Sequence, residues 1–262
     1  MRQEGLFSLR GKVAVVTGGY GHLGRGFCKG LADAGACVVA AGRDYNSFKR
    51  AFERGNNRKI SFEQMDISSE ESVKTAFKDI YKKTGQIDIL VNGAFYSQGF
   101  GEPAEMSSSD WDYGIDGTLN SVFRCIKLVV PYMKRAKKGI IINISSMYGV
   151  VSPDFSIYEG HKKYFSPPNY GAAKAGVVQL TRYYAVYLAG YGIRVNCISP
   201  GAFPKPEVIK QKRFLRRVLA KIPMGRVGRP DDLEGAVVFL ASDASSYMTG
   251  QNIIIDGGWT AW

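Results

Sequence analysis

Lys12-Val-Ala-Val-Val-Thr17-Gly18-Gly19-Tyr20-Gly21-His22-Leu23-Gly24 joins a short apolar run to a glycine-rich turn, and Leu23, Phe27 and Leu31 then mark the inner face of a helix. A strand that feeds a helix through such a turn gathers backbone amides and the positive end of the helix dipole at one point. Glycines let the chain turn tightly there and approach a pyrophosphate. The spacing Gly19-x-Gly21-x-x-Gly24 therefore reads as a dinucleotide turn, with Gly18, Tyr20, His22 and Leu23 completing its contact surface. A turn that binds nothing is the alternative.

Strand-like runs alternate with helical patterns through all 262 residues, which predicts one α/β domain around a single large core. No apolar run reaches the roughly 18 residues of a membrane span. The N-terminus, with Glu4 and no apolar segment, does not look like a signal peptide, so a soluble, cytoplasmic protein with no membrane partner is expected. Cys28, Cys37, Cys125 and Cys197 are isolated and lack metal-ligand spacing. They read as small buried apolar side chains, and no metal is expected.

A formal charge of +12 raises nucleic acid, an anionic surface or an anionic substrate as partners. Between positions 205 and 229 nine Lys and Arg residues face Glu207 alone, and Val208, Leu215, Leu219 and Ile222 are spaced for the apolar face of one helix. The cations, Arg213 among them, then belong to its other faces. No nucleic-acid motif accompanies them, which leaves a solvated basic face or an anionic small molecule, with no nucleic-acid partner expected.

After the second expected strand, Cys37 to Ala41, the chain reads Gly42-Arg43-Asp44. An acid there would bind ribose hydroxyls, whereas Arg43 can pair with a 2′-phosphate, so NADP is favoured over NAD. Asp44 one residue on, or an Arg43 that only stacks on adenine, would favour NAD. Asp66, closing the third strand before a capping box Ser68-x-x-Glu71, is a candidate partner for the adenine amino group, with Ile67 beside it. A plain loop acceptor is its other reading.

The pattern Tyr-x-x-x-Lys occurs three times, at Tyr45/Lys49, Tyr158/Lys162 and Tyr170/Lys174. About one match is expected by chance at ordinary lysine frequency. Spacing i,i+4 brings two side chains to one face only on a helix. Only the third pair opens a long apolar-periodic helix, through Ala173, Val177, Leu180, Tyr184 and Leu188, with Pro167 and Pro168 ahead of it. Tyr158/Lys162, between Pro153 and Pro167, is read as a decoy for the acid/base pair.

With the glycine turn, Asn143-Ile-Ser-Ser146, Tyr170-x-x-x-Lys174 and Asn196-x-x-Ser-Pro-Gly201 in this order, the chain resembles the short-chain dehydrogenase/reductase family over nearly its whole length. Asp88-Ile-Leu-Val-Asn92, Trp111-Asp112 opening the fourth helix, and Ile255-Asp-Gly-Gly258 add to the likeness. The resemblance implies a doubly wound parallel sheet, Rossmann-like, with helices on both faces, assembled as a homodimer or homotetramer. It implies an oxidoreductase that moves hydride between nicotinamide and a carbonyl or secondary alcohol. Tyr170 would be the acid/base, Lys174 would favour its phenolate by charge and bind the nicotinamide ribose, and Ser146 would donate to the substrate oxygen. Ser145 would face the other side of the strand. Asn92, Gly93, Pro200, Gly201 and Phe203 would complete the cofactor site.

Four departures from the family pattern stand out. His22 replaces a glycine of the usual turn, and Thr17-Gly18-x-x-Gly21-x-x-Gly24 is similar to the spacing of the extended branch, many of whose members handle nucleotide sugars. Asn92-Gly93-Ala94-Phe95 puts an aromatic beside the cleft. Alignment on Trp111 and Phe123 sets Thr118 where the family keeps a catalytic asparagine, so either its hydroxyl serves the proton relay or the relay is rebuilt. Pro200-Gly-Ala-Phe-Pro-Lys205 lacks the threonine that contacts the nicotinamide carboxamide, a contact left to the Phe203 backbone.

Ser146 and Tyr170 are further apart than in typical relatives. The added stretch, about 151–168, and a mobile lid at about 203–222 are expected at the substrate mouth. Phe95, Met147, Tyr148, Tyr158, His161 and Arg213 are the substrate candidates, and the mixture of rings and cations favours an anionic sugar derivative. The pattern is similar to enzymes of bacterial surface-sugar and flagellin-glycan synthesis. A 3-oxoacyl-thioester ketoreductase is the enzymatic alternative. A catalytically inactive dinucleotide-binding regulator is the alternative of another class.

Overall fold

The computed structural model describes residues 5–52 and 59–262; Glu4, on which the expectation about a leader drew, lies outside them. Strands β1 (Val13–Thr17), β2 (Cys37–Gly42), β3 (Ile60–Gln64), β4 (Ile89–Asn92), β5 (Gly139–Ile144), β6 (Ile193–Pro200) and β7 (Asn252–Ile255) form one sheet in the order β3-β2-β1-β4-β5-β6-β7. Every pairing is parallel. Such a sheet is covered on both faces, and its strands accordingly read as unbroken apolar runs. In β1 all five residues are buried: Val13 and Val15 enter one core, Ala14 and Val16 the other, as the two-residue period of a strand requires.

Helices α1 (Gly24–Asp33), α2 (Tyr45–Phe52), α3 (Glu70–Thr84), α4 (Ser108–Ile115), α5 (Ser121–Ala136), α6 (Pro168–Ala189), α7 (Pro206–Ile209), α8 (Lys212–Leu219) and α9 (Glu234–Ala241) complete the regular structure. Phe77 and Ile80 of α3, Ile126 and Val129 of α5, and Val177 and Leu188 of α6 fill the first core. Phe27 and Leu31 of α1 with Val237 and Leu240 of α9 fill the second. Strand order reverses between β1 and β4, and a doubly wound sheet opens its ligand crevice at the carboxyl ends of strands at such a point. The expected fold is the observed one.

Local details differ from expectation for identifiable reasons. Ser69, not Ser68, caps α3, its hydroxyl accepting from the Ser72 amide at 3.2 Å, because Asp66 has captured the Ser68 amide and hydroxyl at 2.9 and 2.7 Å. Trp111 lies inside α4, which starts at Ser108, and α4 passes into α5 through a single wide π turn, Asp116–Asn120. The single helix expected across the basic segment is two, α7 and α8, broken at Gln211. Its buried face is carried by Phe214, Val218 and Ile222 rather than by Leu215 and Leu219. Cys37, expected to be buried, is exposed at the first position of β2.

Candidate active site

A cleft of about 500 Å³ opens over the ends of β1 and β4 and is floored by the glycine turn. Gly18 adopts φ +67°, where a side chain would be strained and a Cβ would press on Ala94 at 3.0 Å. A Cβ at Gly24 would lie 2.1 Å from the Gly18 carbonyl oxygen, so the turn is as tight as backbone allows. No side chain among the described residues caps α1. A cradle only glycine can form and an uncapped helix N-terminus fit a bound pyrophosphate. Gly19 does not line the cleft; a Cβ there would meet Cys28 Sγ and Ala40 within 2.9 Å, so this glycine lets α1 pack on β2.

At the far end of the cleft Arg43 lines the wall and Asp44 does not. The Asp44 carboxylate accepts from the Asn46 amide at 2.9 Å and from the Ser47 hydroxyl at 2.5 Å, closing the start of α2. Its amide donates to the Tyr20 hydroxyl at 2.9 Å, and the Tyr20 ring lies over Gly42. The aspartate is thus committed to the chain, and the side chain offered to a ribose is a guanidinium. Asp66 and Ile67 reach the cleft, Asp66 with Oδ1 already held by Ser68.

Ser146 lies two residues beyond the end of β5 in extended backbone, and Tyr170 stands in the first turn of α6, where Pro168 occupies the first helical position. The Ser146 hydroxyl, which accepts from the Tyr148 amide at 3.1 Å, faces the Tyr170 phenol, while burial raises the phenol above its ordinary value. Lys174, one turn along, is buried; its Nζ donates to the Ile144 carbonyl at 2.7 Å and lies 4.9 Å from the Phe95 ring and 5.5 Å from the Tyr170 ring. Burial pulls the Lys174 ammonium down to about 8. Burial is the leading effect on both groups, and the ammonium is hydrogen-bonded to the Ile144 carbonyl. Ser145, on the other side of the strand as expected, donates to the Lys174 carbonyl at 2.8 Å and pins α6 to β5.

A second cavity, about 320 Å³, adjoins the cleft and shares Phe95, Ser146, Tyr170, Gly201 and Phe203 with it. Met147, Tyr148 and Tyr158 also line it, together with Phe165, Phe214, Val218 and Trp259. The 151–168 stretch folds into two short 3₁₀ turns, Phe155–Tyr158 and Lys162–Tyr164, and packs with α8 and Trp259 in a third apolar cluster separate from the two sheet cores. Among the described residues, no charged side chain lines this cavity. Three cations of this region are paired at its outer rim: Arg217 with Glu159 at 2.6 Å, Lys221 with Asp154 at 2.6 Å and Lys162 with Glu102 at 2.7 Å.

Several expected contributors therefore lie elsewhere. His161 stacks on Tyr164 behind the cavity wall, and Arg213 is exposed outside it, so neither meets an anion within. Thr118 is fully buried in the π turn with its hydroxyl toward the Tyr96 carbonyl at 3.4 Å, and it lines neither cavity. Asn92 is buried beneath the cleft: its amide donates to Asn143 at 2.8 Å, and Asn143 donates to Thr181 at 2.9 Å. Tyr45/Lys49 also lies on a helix, α2, so helicity alone does not separate it from Tyr170/Lys174; the adjacency of Ser146 does. The sequence reading missed Lys205 and Met65 in the cleft, and Phe214, Val218 and Trp259 in the cavity. Only the family lid position hinted at Lys205.

Residues 21–260 match the family model described as Enoyl-(Acyl carrier protein) reductase. The chain is 35% identical to the 3-oxoacyl-[acyl-carrier-protein] reductase FabG of Thermotoga maritima, over 95% of this chain and 98% of that protein. It is 34% identical to the cis-4-hydroxycyclohexanecarboxylate dehydrogenase of Sinomonas cyclohexanicum, over 95% and 97%. Among solved structures it resembles a gluconate 5-dehydrogenase from Burkholderia cenocepacia in complex with NADP and tartrate, with a TM-score of 0.88 and 29% identity over 99% of both chains.

Proposed function

The chain belongs to the short-chain dehydrogenase/reductase family of oxidoreductases that act on CH–OH groups, and from that premise we propose an NADP-dependent reductase or dehydrogenase of a ketone or secondary alcohol on a largely apolar body. One observation carries this reading: the cofactor cleft and the uncharged cavity meet at Ser146 and Tyr170. Bound nicotinamide supplies or accepts the hydride. The chain's own part is to hold the substrate oxygen between the Ser146 and Tyr170 hydroxyls, to transfer the proton at the Tyr170 oxygen, and to keep water out with the walls of Phe95 and Phe203. Lys174 below them is the positive group nearest the phenol.

NADP rather than NAD follows from Arg43 on the cleft wall and from the commitment of Asp44 to α2; the gluconate 5-dehydrogenase, a relative by structure, was solved with NADP. An anionic sugar inside the cavity has less support than expected, since no cation lines it to offset the cost of burying a charge. The ketoreductase reading gains by the same fact: an apolar acyl chain suits the cavity, and the exposed Lys210, Lys212, Arg213 and Arg216 at the lid suit a phosphorylated carrier outside it. A homodimer or homotetramer belongs to this reading and is supported by Tyr183, Val186 and Tyr187, which leave an exposed apolar face on α6. No helix among the described residues is long and apolar enough to cross a membrane.

The deciding experiment is a screen of NADPH oxidation with uncharged cyclic ketones, 3-oxoacyl thioesters, sugar phosphates and sugar acids, with Tyr170→Phe as control. Turnover of the first two groups, lost in the variant, is expected. Preference for the sugar acids would restore the anionic reading, and a Tyr170→Phe protein as active as wild type would remove Tyr170 from the chemistry. Cofactor binding without turnover of any compound would favour the inactive regulator.

A further inference from the structure

Tyr148, two residues after Ser146, and Tyr158, within the 151–168 stretch, bring their hydroxyl oxygens to 2.9 Å of one another in the wall of the uncharged cavity. Two phenols joined by one hydrogen bond hold two protons and use one. Whichever tyrosine donates, the other O–H is left over. The Ser166 amide faces the Tyr158 oxygen, which occupies an acceptor position and not the proton. Burial raises both phenols above their ordinary value, Tyr148 far above it, so the pair stays protonated across the working range and presents a donor rather than a negative charge.

The donor is also held still. Tyr158 is only 4% exposed, and its ring meets Phe165 at 5.2 Å, Phe214 at 5.7 Å and Phe155 at 6.4 Å. A hydroxyl on a ring clamped from three sides pays little entropy to meet a partner. Ser146 and Tyr170 are taken up by the reacting oxygen, and Ser97 leans toward Asn169 at 3.4 Å. An unused phenolic proton inside apolar walls costs free energy until an acceptor reaches it.

We infer that the Tyr148–Tyr158 pair is a specificity site, which hydrogen-bonds a second, uncharged oxygen of the substrate, a carbonyl or ester away from the reacting carbon. The inference rests on the proposed ketone or alcohol chemistry of the same cavity. An uncharged acceptor is required because no cation lines the cavity to balance a carboxylate. The substrate class is thereby narrowed to oxo or hydroxy compounds with a second carbonyl on an apolar frame.

Two ketones of similar bulk test it: ethyl 4-oxocyclohexanecarboxylate, which carries the second oxygen, and 4-propylcyclohexanone, which lacks a carbonyl there. In wild type, kcat/KM with NADPH should favour the ester ketone. In the Tyr148→Phe/Tyr158→Phe double variant, which alone removes the spare proton whichever phenol carries it, the ester ketone should lose about tenfold, mainly in KM, while the alkyl ketone changes little. Both rings remain, so packing is kept, and an unchanged melting temperature confirms it. Equal losses with both ketones, or discrimination that survives the double variant, would overturn the inference. Binding of the unreactive ethyl cyclohexanecarboxylate, followed through the fluorescence of the cavity residue Trp259, reports on the pair without turnover. A tenfold weaker affinity in the double variant supports the pair even if neither ketone is reduced, an outcome that would count against the proposed reaction alone; an unchanged affinity overturns it.

Discussion

Lys174 donates its ammonium to the Ile144 carbonyl at 2.7 Å, so the reactive face of α6 is tied to the last residue of β5 by a buried charge. In the proposed reaction the same side chain serves the phenol, which makes its protonation measurable through stability as well as turnover.

Burial lowers Lys174 from 10.5 in the unfolded chain to about 8 in the folded one. Between these values the unfolded chain binds more protons, so this group's contribution to stability rises with pH over that window and is constant below and above it. The wild-type protein should gain on the order of 3 kcal/mol relative to Lys174→Met between pH 7.5 and 10.5, read from denaturant midpoints of the two proteins. A difference that stays flat with pH would show that the lysine is not desolvated.

Tyr170→Phe should lower kcat by about 10²- to 10⁴-fold with NADPH affinity retained, since it removes only the transferable proton. Ser146→Ala should cost about 10²- to 10³-fold, the range for one donor to a developing oxyanion. Steady-state kinetics beside a fluorescence titration of NADPH separates chemistry from binding.

Arg43→Ala should weaken NADPH by about 10- to 100-fold, as expected for loss of charge-assisted bonds to a phosphate, and leave NADH unaltered. Equal changes for both cofactors, measured by titration, would return Asp44 or simple stacking to consideration.

Thr118→Val should cost about 1 kcal/mol of stability for its buried hydroxyl and leave kcat unaltered. A large fall in kcat with little change in melting temperature would place Thr118 in the proton relay after all.

Arg213→Glu with Arg216→Glu should leave KM for an uncharged cyclic ketone unchanged, because both side chains lie outside the cavity. With a phosphopantetheine thioester KM should rise, and the rise should shrink in high salt, as surface charges are screened.

The parts of the site that the sequence disclosed are those set by local geometry. The glycine turn, Ser146 at a strand end and Tyr170 with Lys174 one helical turn apart are fixed by periods of two and 3.6 residues. Alignment on Trp111 and Phe123 sets Thr118 at the asparagine position, but an alignment carries no information on the backbone between its anchors. The π turn Asp116–Asn120 adds a residue to the turn and rotates the helix beyond it. Charge and ring content select Arg213 and His161 but say nothing of direction. Partners such as Glu159 for Arg217, 58 residues apart, are settled only by folding. Tyr158 looks like a decoy because it is not in a helix; its place in the cavity comes from a 3₁₀ turn and from Phe214, which no local pattern links to it.

The third apolar cluster has a kinetic meaning. Ile157, Tyr158 and Phe165 share it with Phe214, Val218, Ile222 and Trp259, apart from both sheet cores. Residues that bury one another melt as a unit, so the roof of the cavity should open as a single cooperative step rather than by fraying of either segment. Amide hydrogens of 155–165 and 212–222 should then exchange with one common protection, below that of β4 and β5. The rate of that opening would bound how fast any substrate enters.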